Sequence, residues 1–155
     1  MAELTFERAT LDDFRKLILL VNEFDRSLSI EAKQPSDLKK DQARNRRYVR
    51  KYLVDLDSAY VLCKKEDQLI GYSFLNIEKH SGGVACINEL FVVPSERGNK
   101  IGLALVEESL KWFKARGCQQ VKLTVDRYNI PATKLYERLG FQMKREHYVD
   151  MSLNI

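Results

Sequence analysis

Ile87-Asn88-Glu89-Leu90-Phe91-Val92-Val93-Pro94-Ser95-Glu96-Arg97-Gly98-Asn99-Lys100-Ile101-Gly102-Leu103-Ala104-Leu105 is an apolar, strand-like run that stops at a proline, a short polar turn, and the opening of a helix. A helix N-terminus carries unpaired N–H groups and roughly half a positive charge. Strand, glycine-bearing turn and helix in that order therefore suit an anion, phosphate above all. The pattern is neither G-x-x-x-x-G-K-[ST] nor G-x-G-x-x-G, so the turn by itself leaves two readings open: a phosphate cradle, or a tight connection that uses glycine for steric reasons.

Upstream of this unit, Leu4 to Arg8 alternates like a strand, and Thr10 with Asp13 forms a capping box for a helix whose apolar face is Leu17, Ile18, Leu20, Val21 and Phe24. After Pro35, Ser36 is placed to cap a second helix, polar in its first half, with Tyr48, Val49, Tyr52, Leu53 and Leu56 at helical spacing. Ala59 to Cys63 and Leu69 to Ile77 read as strands joined by a polar turn, and Ser81-Gly82-Gly83 turns the chain into a strand from Val84 to Val93. Downstream, a helix from Asn99 to Arg116 ends at Gly117, Val121 to Val125 is a strand, and Pro131 opens a short helix that Gly140 stops. Phe141 to Lys144 and Tyr148 to Leu153 are the last two strands. This order predicts α/β (α+β) mixed layers around a largely antiparallel central sheet.

The 155 residues, 45% hydrophobic and 31% charged, suit one domain spanning 1–155 with a single core. No apolar run reaches membrane-spanning length, and Met1-Ala2-Glu3-Leu4 is not a basic-then-apolar leader. The three cysteines, Cys63, Cys86 and Cys118, are far apart and form no C-x-x-C, which argues for reduced thiols, no metal site and a cytoplasmic location. The net charge of +4 permits an anionic ligand without demanding nucleic acid. Much of it lies in Lys39, Lys40, Arg44, Arg46, Arg47, Arg50 and Lys51, which lack interleaved aromatics or a recognition-helix signature.

A second segment narrows the readings: Asn129-Ile130-Pro131-Ala132-Thr133-Lys134-Leu135-Tyr136-Glu137-Arg138-Leu139-Gly140-Phe141. With the first it resembles the GNAT superfamily of acyl-CoA-dependent N-acyltransferases. That family's later motif reads N-x-x-A-x-x-x-Y-x-x-x-G-F, matched here by Asn129, Ala132, Tyr136, Gly140 and Phe141. Its phosphate loop reads [Q/R]-x-x-G-x-[G/A], matched at its ends by Arg97 and Gly102, with Lys100 in place of the middle glycine. The resemblance implies splayed central strands with helices on both faces of the sheet, and acetyl-CoA as co-substrate. It places the pantetheine arm along Leu90, Phe91 and Val92, and the pyrophosphate on the amides of Gly98, Asn99, Lys100, Ile101, Gly102 and Leu103. Arg97 either contacts a phosphate or braces the turn. Asn129 and Ala132 lie beside the pantetheine arm, where Asn129 is also a natural cap for its helix. Lys100 either marks an eroded cofactor loop or offers an ammonium to a phosphate.

The same resemblance makes Tyr136 the general acid for the departing thiolate; a phenol near 10 stays protonated at neutral pH while a thiol lies near 8.5. The other reading of Tyr136 is a core aromatic in line with Leu135 and Leu139. Glu89 is the candidate base or acceptor-orienting group, since strand alternation puts it on one apolar face with Ile87, Phe91 and Val93; the other reading is a structural ion pair with one of the many Lys or Arg. A carboxylate near 4.3 lies about 6 units, roughly 8 kcal/mol, below an alkylammonium, so it must work through water or on a desolvated amine. No cysteine sits where its thiol pKa would fall, and His80 and His147 read as surface residues, so direct attack in a ternary complex is expected.

The acceptor side falls to the first two helices. Glu23, Phe24 and Asp25 near the end of the first are candidate substrate-binding residues for a small-molecule primary amine, and Tyr48 and Tyr52 candidate pocket walls. A protein N-terminus or lysine is the alternative acceptor. A non-catalytic CoA-binding or partner-binding module, with Lys100 as its mark, is the alternative class. Members of the family often pair, so a homodimer is compatible with the resemblance.

Overall fold

A computed structural model describes residues 2–33, 37–126, 128–144 and 148–155. Its strands are β1 (Leu4–Arg8), β2 (Ser58–Lys65), β3 (Gln68–Glu78), β4 (Val84–Val92), β5 (Gln120–Asp126), β6 (Gln142–Met143) and β7 (Tyr148–Asn154), and its helices α1 (Phe14–Glu31), α2 (Leu38–Val54), α3 (Ile101–Ala115) and α4 (Ile130–Arg138). The strands form one sheet in the order β1-β2-β3-β4-β5-β7-β6. Every pairing is antiparallel except β4 with β5, whose connection crosses over through α3.

Local chemistry accounts for most element ends. Thr10 and Asp13 close the expected capping box on a short 3₁₀ turn that leads into α1. Pro35 and Ser36 lie outside the described residues; the cap of α2 is Asp37, whose side chain accepts from the Lys40 amide at 3.2 Å. The β2–β3 hairpin turns through Glu66 and Asp67, both at positive φ (48° and 64°), the twist that matches two strands joined by a two-residue loop. The last hairpin partner, β6, is shorter than the alternation of Phe141 to Lys144 suggests.

Each face of the sheet carries its own apolar cluster. On one, Leu17, Ile18, Leu20 and Val21 of α1 and Val49 and Leu53 of α2 bury against Tyr60, Leu62, Tyr72 and Phe91. On the other, Ile101, Leu105, Val106 and Phe113 of α3 bury against Val61, Ala85, Ile87, Val121 and Met151, with Tyr136 and Phe141 at one end. No helix among the described residues is long and apolar enough to cross a membrane.

Two irregularities in β4 shape everything that follows. First, β4 and β5 share only the pairs Ala85↔Val121 and Cys86↔Lys122, after which the strands part. Second, Phe74 faces Glu89 whereas Leu75 faces Ile87, so Asn88 is an extra residue, a β-bulge. A bulge reverses which face later side chains occupy. Ile87 therefore packs with α3, whereas Phe91 packs with α1 and α2. The expectation that Glu89 shares a face with Ile87 is corrected on this ground: Glu89 lies on the α1–α2 face, with Phe91.

Gly71 of β3 lets β4 lie close beneath α3, because a Cβ there would stand 2.9 Å from the Phe91 carbonyl oxygen and 3.3 Å from Leu105 Cδ1. Backbone cannot yield as a flexible side chain does. Gly71→Ala is expected to destabilise the fold by about 1–3 kcal/mol, read as a lower midpoint in thermal or urea unfolding. An unchanged midpoint would contradict the close approach.

Candidate active site

The turn after β4 is built as an anion cradle. Pro94 to Glu96 form a 3₁₀ turn, Gly98 takes φ +84°, and Lys100 takes φ +60°, ψ 18° at the N-cap of α3. That cap makes no side-chain hydrogen bond, so the first amides of α3 have no acceptor from it; helical bonding begins with Ala104 N–H donating to the Lys100 carbonyl at 3.1 Å. Gly98, Asn99 and Lys100 are exposed and Ile101 is buried, which turns the open amides outward and roots the helix behind them. Lys100 does not adopt the right-handed helical φ that would seat a side chain at little cost. It holds the left-handed conformation that glycine prefers, in the place where the family motif has glycine. Arg97 braces the turn: its Nε donates to the Val92 carbonyl at 2.9 Å and its guanidinium stands 5.6 Å from the Phe91 ring centre.

Two other pieces meet this cradle. A Cβ on Gly102 would lie 3.4 Å from Leu135 Cδ1 of α4 and 3.9 Å from Leu90 Cδ2 of β4, so the start of α3, α4 and the parted edge of β4 border one another. Asn129 caps α4, its Oδ1 accepting from the Ala132 amide at 3.3 Å. Ala132 is half-buried against the core, and Leu103 follows the open amides on α3. Tyr136 is buried with its ring 5.6 Å from that of Phe141, and burial alone pushes its phenol up to about 12. An acyl-CoA needs an open amide cradle and a strand edge, here Leu90, Phe91 and Val92 on the β5 side, and these border one another with α4, the helix that carries Tyr136, alongside. The residues present fit that group.

On the α1–α2 face a pocket of about 360 Å³ opens beside Glu89. Its lining includes Asp25, Arg44, Asn45, Tyr48, Tyr52, Tyr60, Phe74 and Asn88. Tyr60, Phe74 and Glu89 lie in one lateral row across β2, β3 and β4, since Tyr60 pairs with Phe74 and Phe74 with Glu89. The rings of Tyr60 and Phe74 stack at 4.6 Å, and those of Tyr48 and Tyr52 at 6.2 Å. Glu89 Oε2 accepts from the Tyr72 hydroxyl at 2.8 Å. Desolvation holds the Glu89 carboxyl above the ordinary carboxylate value; the Tyr72 bond works against this and the charge of Asp25 adds to it. Asp25 Oδ2 accepts from Arg44 Nη2 at 3.0 Å and from Asn45 Nδ2 at 3.3 Å.

Of the expected acceptor-side residues, Asp25, Tyr48 and Tyr52 line the pocket. Phe24 packs behind it against Tyr72 and Phe91, and Glu23 is exposed and does not line it. Tyr60, Phe74, Asn45 and Asn88 were not anticipated; the one signal available was the alternate aromatics Tyr72 and Phe74 on β3. Part of the basic run is already engaged: Arg44 with Asp25 and Asp41, Arg50 over Phe14, Lys51 over Tyr52. The cysteines are poor nucleophiles, with burial pushing Cys63 and Cys86 up to about 11 and Cys118 upward. His80 is exposed, and His147 lies outside the described residues. Among the described residues no three His, Cys, Asp or Glu gather to hold a metal.

A mixed seven-stranded sheet parted between two parallel strands, with an uncapped helix at the mouth of the gap, is the arrangement that the resemblance implied. The model of the acetyltransferase (GNAT) family matches residues 22–141, and the chain belongs to that family. It is 35% identical over 88 residues to a mycothiol acetyltransferase of Thermobispora bispora, covering 54% of this chain and 30% of that protein. It is also 35% identical over 105 residues to an uncharacterized N-acetyltransferase of Methanocaldococcus jannaschii, covering 63% and 46%. The chain thus spans less than half the length of these curated relatives. Its fold is that of the PaiA N-acetyltransferase of Thermoplasma acidophilum, solved in complex with coenzyme A: TM-score 0.82, 20% identity, 99% of each chain covered.

Two stability measurements check this geometry. Lys100→Gly should relieve the left-handed backbone and stabilise the protein by about 0.5–1 kcal/mol after the extra chain entropy of glycine, a rise of roughly 2 °C in Tm for a chain of this size. A fall in Tm would show that the lysine side chain makes up for its strain. For Glu89, a raised folded pKa means that the native state holds the proton more tightly than the unfolded state. Its contribution is complete below the ordinary value of 4.5 and is lost as pH rises through the folded pKa. Glu89→Gln should therefore gain Tm relative to the parent as pH rises from 4 to 8; a constant or reversed difference would contradict the desolvated carboxyl.

Proposed function

We propose that this protein transfers the acetyl group of acetyl-CoA to a primary amine of a small cationic acceptor, by direct attack in a ternary complex. The observation that carries the reading is the position of Glu89: it stands on the strand that parts from β5 and forms a wall of the aromatic pocket on the α1–α2 face. One residue thus borders both the proposed donor edge and the proposed acceptor space.

In this reading the amides of Ile101, Gly102 and Leu103, with Gly98 and Asn99 before them, hold the pyrophosphate, and the ammonium of Lys100 adds a point charge at the exposed rim. Leu90, Phe91 and Val92 offer backbone to the pantetheine arm, with Asn129 and Ala132 beside it. Arg97 keeps the turn in shape through the Val92 carbonyl. Acetyl-CoA supplies the activated acyl carbon and a thiol leaving group. The pocket suits an ammonium-bearing acceptor, since the rings of Tyr48, Tyr52 and Tyr60 line it and Glu89 is held by a neutral phenol, whereas Asp25 is already paired with Arg44.

Glu89 receives the proton of the amine through pocket water, and its raised pKa narrows the gap of about 6 units to a free alkylammonium. Glu89 passes that proton to solvent; the N–C bond then forms as the C–S bond breaks, the nitrogen sheds its second proton to Glu89 through the same water, and the electron pair left on sulfur takes its proton from Tyr136. Exchange with solvent resets both residues. Because Tyr136 is pushed up to about 12, it stays a proton donor throughout the working range.

A panel of primary amines assayed with acetyl-CoA by thiol release tests the proposal. Turnover with at least one small amine is expected. Tyr136→Phe should lower kcat by about 10²-fold or more with little change in KM for acetyl-CoA, and Glu89→Gln should lower kcat with the same amine. In the parent enzyme kcat should show no basic fall up to about pH 10.5 from a phenol at about 12. A protein that binds acetyl-CoA but releases no thiol with any amine, or a Tyr136→Phe variant of full activity at every pH, would overturn the assignment.

A further inference from the structure

Glu89 has two carboxylate oxygens, and the fold uses one of them. Tyr72 and Glu89 are diagonal neighbours: Tyr72 of β3 pairs directly with Phe91, two residues beyond Glu89 on β4. A diagonal cross-strand neighbour is within reach of a long aromatic side chain, and the Tyr72 hydroxyl stands 2.8 Å from Glu89 Oε2. Tyr72 has no solvent exposure and does not line the pocket, whereas Glu89 does. Its ring is held on three sides, by Tyr60 at 5.9 Å, Phe91 at 6.2 Å and Phe24 at 6.5 Å between ring centres. The ring is thus packed in place, and Tyr72 stands behind Glu89 rather than in the pocket.

We infer that Tyr72 is a positioning residue for the transfer: it pins Oε2 of Glu89 from behind, so that Oε1 is the oxygen presented to the acceptor amine. This rests on the proposed role of Glu89 as proton acceptor. The pairs Tyr72↔Phe91 and Phe74↔Glu89 lie in unbroken register on one side of the Asn88 bulge, which puts Glu89 and Tyr72 on one face. The hydroxyl also works against the desolvation that raises the carboxyl. Among the groups that face Glu89, Asp25 from α1 resists its charge, and Tyr60 of β2 and Tyr48 and Tyr52 of α2 offer aromatic walls. Arg44 of α2 is spent on Asp25 and Asp41. Tyr72 is the one of these that donates directly to Glu89. Burial and the neighbouring carboxylate raise the Tyr72 pKa well above the ordinary phenol, so it remains a donor whenever Glu89 is ionised.

The test is the titration of Glu89 itself, followed by the carboxyl ¹³C resonance in glutamate-labelled protein and assigned by its loss in Glu89→Gln. In Tyr72→Phe the midpoint should rise by about half a unit or more, since a hydrogen bond to the charged form is lost. The acid limb of kcat should move up with it, with KM for acetyl-CoA unchanged. Tyr72→3-fluorotyrosine, a stronger donor of almost the same shape, should move the midpoint down, and serves if the Phe variant does not fold. A midpoint that stays in place in both variants would overturn the inference, whatever the turnover. A moved midpoint with undiminished turnover in Glu89→Gln would uphold the Tyr72–Glu89 bond and overturn the assignment of Glu89 as base.

Discussion

Backbone amides and carbonyls must be paired wherever they are withdrawn from water, and the middle of a sheet is where this rule binds hardest. β4 obeys it along its β3 edge and departs from it along its β5 edge, where pairing ends at Cys86 and Lys122. The bulge at Asn88 follows two residues later. A bulge bends its strand and increases local twist, so the residue inserted against β3 and the parting from β5 are two aspects of one distortion. Asn88 is tied in place, its Nδ2 donating to Asn76 Oδ1 at 2.7 Å on β3. The inserted residue also reverses the facing of the strand beyond it. A gap in the sheet and a carboxylate beside that gap thus arise from the same irregularity, and without it neither would lie where the helices of the other face could enclose them.

The electrostatics of the pocket follow from its walls. Aromatic rings and apolar helix faces exclude water without supplying charge, so a carboxyl among them loses hydration and rises in pKa. The charge of Asp25 adds to that rise at Glu89, while the bonds of Arg44 and Asn45 go to Asp25. The result is an asymmetric pair, one carboxylate engaged by the protein and one held by a neutral phenol. A cationic ligand gains most beside the second.

The strands, helices and their order were legible because the periodicities are clean: Leu17, Ile18, Val21 and Phe24 on α1, alternation in β5, proline at the start of α4 and glycine after its end. The phosphate loop and the Asn129–Phe141 segment were legible because backbone chemistry constrains them locally. Glu89 stood out as a charge in an apolar strand, but its face was misread, since alternation assumes an unbroken register and nothing in Ile87-Asn88-Glu89 announces an inserted residue. Tyr72, Tyr60 and Phe74 escaped notice for a related reason. Each looks like an ordinary strand aromatic, and only lateral register across three strands places them around one carboxylate. The cap of α2 at Asp37 shows the smaller error typical of boundaries, where two adjacent residues, Ser36 and Asp37, have equal chemical claims.

Tyr136 raises a last question of magnitudes. A phenol at about 12 against a free thiol near 8.5 leaves about 3.5 units, roughly 5 kcal/mol, opposing proton transfer to sulfur. That comparison sets a buried acid against a solvated base. Burial acts on thiols too, and in this same fold it lifts Cys63 and Cys86 to about 11. In the proposed transfer a sulfur leaving beside Tyr136 loses hydration in the same way, which narrows the difference within the site. Water excluded from around the phenol is excluded from around the thiolate, and the hydrogen bond between them is then the main stabilisation the departing charge can find. In the proposed transfer, the burial that makes Tyr136 a weak acid in isolation is what makes its proton worth most to the leaving group.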